Sequence, residues 1–324
     1  MKFLSYCLLL LAAGNCWAQG TAAPGVFPSK PVHIYVTVPP GGAADFIARS
    51  VGAKLSQALG VSVVIENRGG ASGTIAAALV AKAPADGYTL LQNSITTHGI
   101  GPYLFPQLPY DSFADFAPVT LLATLPMIMT VNAALPAKSV DEFIALAKSR
   151  PGKLSFASSG NGGAPHLAGE LFKVATDTDI LHVPYKGSGP AVLDVAGGQV
   201  QAMFDAAPSL LPHIQSGKLR ALAAASAQRN ALLPEVPTFA ERGVKGMEIL
   251  IWYGLQAPAA TPSAIVNRLN AELRKVLDAP DLRQRFADQG TQPAGGTPEQ
   301  FTAFMREDYQ RWGSVIKRAR LTFE

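Results

Sequence analysis

The sequence predicts an α/β protein of two similar parallel-sheet domains, joined by two crossing segments, with a ligand cleft between the domains. Three observations lead there. An apolar strand that runs into a glycine-rich turn and opens at once into a helix occurs at residues 36–48, VTVPPGGAADFIA, and the same order returns around residues 154–174. Within each half, strands are separated by single helices, which implies parallel pairing through right-handed crossovers. Two long apolar stretches, residues 116–132 and 247–257, carry the chain out of the first half and back again.

The elements follow in order. Residues 1–18 read as a secretory signal, with Lys2 at its positive end, an apolar stretch from Leu8 to Ala13, and small residues Cys16 and Ala18 at the cleavage positions. Acylation of Cys16 is the rival reading, disfavoured by Asn15 before it. A periplasmic protein is the expectation. Residues 19–30 form a leader arm, and the domains are expected at 31–120 with 247–324, and at 121–246. Val36 and Val38 alternate with Tyr35 and Thr37 as a strand does, and Pro39 and Pro40 end its ladder because proline donates no N–H. Ile47, Val51, Leu55 and Leu59 recur at helical spacing up to a cap at Gly60. A strand at 61–65, a glycine loop at 69–73, an alanine-rich helix and a strand at 88–92 complete a βαβαβ unit.

The second half repeats this grammar. A helix at 139–148 leads to a strand at 154–157, the loop SSGNGGAPH, a helix at 167–174 and a strand at 180–183. After KGSGP come a helix through Val195, a strand at 200–204, a helix at 210–215 and a strand at 219–224. In the tail, Thr261 before Pro262 and Thr297 before Pro298 place a capping hydroxyl ahead of a proline, and Gln300 completes a capping box with Thr297.

Composition narrows the function. Both cysteines, Cys7 and Cys16, lie in the signal, so the mature chain offers no disulfide, thiol nucleophile or cysteine metal site. The charge of +4 is scattered, and the densest basic run, Lys317, Arg318 and Arg320, is too short for a nucleic-acid groove. No other apolar run is long enough to span a bilayer. Chemistry therefore rests on the glycine turns. The first N–H groups of a helix lack intrahelical partners and carry the positive end of its dipole, so bare backbone at Gly41 and Gly42 invites an anion. A second such turn at 160–163 would let one anion meet two helix starts.

Six stretches in series carry a resemblance: PPGGAAD at 39–45, ENRGGASG at 66–73, PADGYTLL at 84–91, SFASSGNGGAPHLAGELF at 155–172, VPYKGSGPAVLDVAGGQVQAMFD at 183–205 and WYGLQAPAATP at 252–262. In this order they resemble the extracytoplasmic solute receptors of tripartite tricarboxylate transporters, the Bug family. The resemblance implies a two-domain, type II-like periplasmic binding fold that closes over a small organic carboxylate and delivers it to inner-membrane transporter subunits; a monomer without a cofactor is the expectation. It places one anchoring loop at Pro40, Gly41, Gly42, Ala43, Ala44 and Asp45, and the other at Ser158, Ser159, Gly160, Asn161, Gly162 and Gly163. It adds Ser94, Thr97 and His98 after the third strand, and Tyr185, Lys186, Gly187, Asp205 and Ala206 in the second domain. Gly69 stands where the family commonly has proline.

Individual residues keep two readings. Asp45 either braces its helix start or faces the cleft, where it would repel a second carboxylate. His166 either bonds local backbone or touches the ligand, and Trp252 and Tyr253 read as packing in the second crossing segment. No two histidines share a metal-ligand spacing, which argues against a metal site. Catalysis is disfavoured: GNGGAP falls short of a dinucleotide fingerprint, no GxSxG elbow occurs, and Ser159 with His166 lacks an orienting acid. A periplasmic sensor with the same fold and an inorganic-anion receptor remain open alternatives.

Overall fold

The structure is a computed structural model that describes residues 27–105 and 107–319. The predicted signal and residues 19–26 of the leader lie outside the described residues. The rest of the leader is tied to the first lobe, where Phe27 packs edge-on against Tyr88 and the Ser29 amide donates to the Tyr88 hydroxyl.

The first lobe opens with β1 (Val32–Val36), α1 (Ala43–Leu59), β2 (Val63–Asn67), α2 (Thr74–Ala81) and β3 (Thr89–Ser94). β1 lies between β2 and β3 and runs parallel to both. Gly60 caps α1 as predicted, at φ 71°, a left-handed conformation that glycine adopts without a steric cost. A π turn at Ile95–Ile100 and the short α3 (Gly101–Leu104) follow β3.

The first crossing segment is one strand of 17 residues, β4 (Phe116–Asn132). Beyond it come α4 (Val140–Ser149), β5 (Ser155–Ser158), α5 (Ala164–Thr176), β6 (Leu181–Pro184), α6 (Ser188–Ala196), β7 (Ala202–Ala206), α7 (Ala207–Gln215) and β8 (Leu219–Ala225). The second crossing segment is β9 (Leu250–Pro258), and the tail forms α8 (Ser263–Asp278), α9 (Pro280–Ala287), β10 (Gln292–Gly295) and α10 (Pro298–Ala319).

The strand order β2-β1-β3-β9-β4-β7-β5-β6 corrects one expectation. The parallel units β2-β1-β3 and β6-β5-β7 are present, but the crossing segments enter the sheets as antiparallel strands, so both sheets are mixed. The physical reason is direction: a segment leaving a domain and one returning to it run oppositely and pair antiparallel when adjacent. β4 pairs with β9 from Phe116 to Pro126 and, from Met127 onward, with β7 and β8. One continuous strand therefore serves both sheets.

The tail packs on the first lobe. Phe301, Met305, Trp312 and Ile316 of α10 are buried, and the Trp252 Nε1 donates to Asp308 at 2.7 Å. Gly254 is required by this packing, because a Cβ there would stand 1.9 Å from the Phe301 ring. Thr297 and Gln300 form the predicted capping box, with bonds of 2.8 and 3.2 Å. The predicted cap at Thr261 is not made: α8 begins at Ser263 behind Pro262, and the Thr261 hydroxyl has no partner among the described residues. Among the described residues no helix is long and apolar enough to cross a membrane.

Candidate functional site

The carboxyl ends of β1, β3, β5, β6 and β7 all lead into helix or π-turn starts on the cleft side, as expected of parallel units. They meet at a cavity of about 50 Å³. Pro39, Gly42, Ala43 and Ala44 line it from the first loop, and Ser94, Ile95 and Thr96 from the end of β3. The second lobe contributes Ser159, Ala164, Pro165, Ser188 and Asp205, and β9 adds Ile251 and Tyr253. No lysine or arginine is among these residues. The cavity exceeds the roughly 10–15 Å³ that one water needs.

The first loop is braced by its own helix. Gly41, at φ +96°, donates its amide to Asp45 Oδ2 at 3.2 Å, and Asp45 Oδ1 lies 2.9 Å from Arg49 Nε. Burial disfavours the Asp45 anion, but Arg49, the Gly41 amide and Asn67 outweigh it and hold the carboxyl below its ordinary pKa. Asp45 thus takes the bracing reading, turned back into its loop. Pro40 and Gly41 are exposed on the rim. Gly42 faces the cleft with bare backbone: a Cβ there would lie 3.5 Å from Ser188 Oγ and 4.0 Å from Ser209 Oγ across the gap. Gly69 fits closely against Pro39, where any Cβ would stand 2.6 Å from the proline ring.

The second loop is braced from behind by histidines. The Gly162 amide donates to His166 Nδ1 at 3.0 Å, and His166 stacks on His182 with ring centres 3.6 Å apart. His182 Nε2 meets Ser158 Oγ at 2.6 Å, and that hydroxyl accepts the Gly160 amide at 3.2 Å. Burial, then the neighbouring charges of His182 and Lys173, push His166 down to about 3; burial and Lys173 push His182 down to about 4. Both rings are neutral at neutral pH, as an acceptor nitrogen facing Gly162 requires. His166 takes the local-backbone reading.

The lobes touch around the cavity. Ala164 donates its amide to Thr96 Oγ1 at 3.3 Å, the Ser72 hydroxyl donates to the Asn161 carbonyl, and Phe105 covers Gly162 so closely that a Cβ there would lie 2.6 Å from the ring. Gly187 donates to the Ser159 carbonyl at 3.1 Å and packs beside Pro39. The cleft is closed.

The structure separates the predicted site residues. Gly42, Ala43, Ala44, Ser94, Ser159 and Asp205 come together at the cavity. Several predicted side chains do not, among them Asp45, Ser158 and His166, which brace the loops, and His98, Thr97, Tyr185 and Lys186. His98 is 0% exposed, packed against Tyr110 and Phe116 with Nδ1 2.9 Å from Thr97 Oγ1, and burial lowers it to about 3. Thr97 is buried, its hydroxyl closing the turn onto the Ser94 amide. The Tyr185 hydroxyl donates to Asp194 Oδ2 on α6 at 2.7 Å, and burial, then Asp194, pushes it up to about 12. Lys186 is exposed, while Ala206 gives its amide to Asp205 Oδ1 at 2.7 Å. The amides of Gly41, Gly160 and Gly162, expected to grip an anion, are already bonded to Asp45, Ser158 and His166.

Sequence reasoning missed Thr96, Ser188, Ile251 and Tyr253. Tyr253 had a usable signal. In a strand, neighbours point to opposite faces, so once Trp252 is core, Tyr253 must face the other way. Asp205 is 4% exposed, and burial pushes it up to about 6 against the favourable Ser188, Ala206 amide and Ser209 groups. Burial and the Asp205 charge raise Tyr253 as well. Among the described residues no group of three or more His, Cys, Asp or Glu could hold a metal ion.

Known proteins share this architecture. The sequence profile described as "Tripartite tricarboxylate transporter family receptor" matches residues 47–321. BugT of Bordetella pertussis is 39% identical over 92% of this chain and 93% of its own length. A protein of the tcbD-tcbE intergenic region of Pseudomonas sp. strain P51 is 43% identical over 91% of this chain and 88% of its own. The solved structure of R. palustris Rpa4515 with adipate is 37% identical, with TM-score 0.89 over 91% of this chain and 99% of that one. The periplasmic binding protein BugD gives TM-score 0.88 at 34% identity over 91% and 99%, and MatC from Rhodopseudomonas palustris with bound malate 0.86 at 35% over 90% and 100%. The matched family and the structural neighbours are solute-binding receptors and not enzymes, and this chain belongs to the tripartite tricarboxylate transporter family of receptors.

Proposed function

We propose that the protein is a periplasmic receptor that captures a small organic carboxylate between its lobes and presents it to the membrane subunits of a tripartite tricarboxylate transporter. The observation that carries this reading is the convergence of the α1, α5 and α6 starts on one closed cavity without a lysine or arginine. Such a cavity suits an anion held by backbone dipoles and hydroxyls rather than by a cation. We assign direct contact to the backbone at 42–44 and to Ser94, Ser159 and Ser188, and a bracing role to Asp45, Ser158 and His166. The adipate and malate of the relatives support the carboxylate class, and family membership implies the periplasm and the transporter. We take the domains as 31–120 with 247–324 and 121–246; the exchange of β4 partners after Pro126 supports a boundary close to there. The receptor acts as a monomer.

The test is a thermal-shift screen of protein refolded free of ligand, against mono-, di- and tricarboxylates, sulfate and phosphate. At a hundredfold excess over Kd a ligand adds about 2.7 kcal/mol of stability, enough to move the midpoint by several degrees. An organic acid that shifts the midpoint while sulfate and phosphate do not is the expected result. Equal shifts with the inorganic anions, or turnover of any compound, would overturn the reading.

A further inference from the structure

The cleft contains one carboxyl group that its surroundings leave incompletely paired. Asp205 is the penultimate residue of β7, is 4% exposed and lines the cavity. Its Oδ1 accepts the Ala206 amide, but its Oδ2 has no hydrogen-bond partner among the described residues. The hydroxyls of Ser188 and of Ser209, on the first turn of α7, lie near enough to favour the carboxylate, but neither closes a hydrogen bond to Oδ2. Both stand in the wall that Gly42 faces. A buried acceptor without a donor is destabilising, and a buried charge without a counter-charge is more so. No lysine or arginine lines the cavity to supply either. A donor carried into the cleft by the ligand would complete Oδ2, and a cationic one would also balance its charge.

We propose that Asp205 selects the ligand by accepting a hydrogen bond from an ammonium or hydroxyl group carried next to the anchored carboxylate, so that amino and hydroxy acids bind in preference to the plain acids of the same carbon skeleton. This rests on the carboxylate-receptor reading above. A plain dicarboxylate would bring a second negative charge towards Asp205 and leave Oδ2 unpaired. A donor beside the carboxylate removes both penalties, and an ammonium group also neutralises the buried charge.

The experiment titrates ligand-free protein calorimetrically with three matched series: alanine, lactate and propionate; aspartate, malate and succinate; glutamate, 2-hydroxyglutarate and glutarate. In the series that fits the cavity, a donor-bearing member should bind at least about tenfold more tightly than the plain acid. Asp205→Asn should weaken the amino or hydroxy acid about tenfold while leaving the plain acid unchanged or tighter, and Asp205→Ala should abolish the preference. Plain acids that bind as tightly as their substituted partners, or a preference that survives both substitutions, would overturn the proposal and leave the carboxylate reading intact. Silence across all three series would overturn both.

Discussion

Asp45 and Asp205 stand near helix starts on opposite walls of one cleft, and their surroundings drive them in opposite directions. Asp45 lies within reach of Arg49, the Gly41 amide and Asn67, so its anion is stabilised and serves the loop. Asp205 is at least as deeply buried but has only hydroxyls and one amide beside it, so its anion is disfavoured. The wall from the first lobe presents backbone and small side chains with its carboxylate turned away. The wall from the second lobe presents a carboxyl whose Oδ2 lacks a hydrogen-bond partner among the described residues. A carboxylate's role is set by which donors reach it, not by its place in a repeated motif.

The largest way to break this contrast is Asp205→Asn in the empty protein. The folded Asp205 titrates at about 6, above the ordinary value of 3.8, so the folded state retains a proton that the unfolded chain gives up between these values. The stability associated with that proton is fully present below about pH 4 and lost as pH rises through about 6. Removing the charge should therefore stabilise the empty protein by roughly 3 kcal/mol at pH 7 and by almost nothing at pH 4, seen as a midpoint raised by several degrees only at the higher pH. An unchanged midpoint at pH 7 would mean that Asp205 already has its donors.

Next in size is His166→Phe, which keeps a ring against His182 but leaves the Gly162 amide without its acceptor. It should cost about 1–3 kcal/mol by denaturant titration at neutral pH. Because both histidines are held neutral, the wild type should lose stability as pH falls below about 6.5 towards their lowered values of about 3 and 4, a slope opposite to that from Asp205. The variant should show a shallower acid loss; an identical acid profile would mean the stack does not brace the loop.

Gly42→Val tests the other wall. Gly42 sits at φ −105°, open to any residue, so the fold should hold, while the branched side chain crowds Ser188 and the cavity. Overpacking of about 1–3 kcal/mol corresponds to roughly 10–100-fold weaker ligand binding. Normal affinity with an unchanged midpoint would place the ligand elsewhere. The smallest effect belongs to Asp45→Asn. Arg49 is half exposed, which limits the pair to about 1 kcal/mol or less, present at neutral pH and lost on acidification through the lowered Asp45 value. A larger loss, or a change in ligand preference, would show that Asp45 reaches the cleft after all.

Local chemistry made the helix and strand grammar legible. Gly60 as a cap, the box at Thr297 and Gln300, and the glycine turn before α1 each depend on neighbours within a few residues, and each is found where expected. What failed was mostly non-local. The antiparallel pairing of β4 with β9 depends on two segments over a hundred positions apart meeting side by side. His98 follows a cleft-facing strand, but the π turn after Ser94 rotates it into the core against Tyr110 and Phe116. One failure was local: the amides of Gly41, Gly160 and Gly162 looked bare, although Asp45 and His166 on the following helices and Ser158 at the end of the preceding strand turn their side chains back to accept them. Ser188 enters the site only because α6 is brought opposite Gly42.

The most direct measurement is a crystal structure of the receptor with the tightest carboxylate from the screen. The account predicts the carboxylate between the backbone of Gly42 and Ala43 and the hydroxyls of Ser159 and Ser188, with the ligand's donor group at Asp205 Oδ2 and the lobes closed over it. A ligand lodged instead in the hollow of about 660 Å³ lined by Lys138, Arg220 and Arg242 on the second lobe, with the cleft empty, would contradict it.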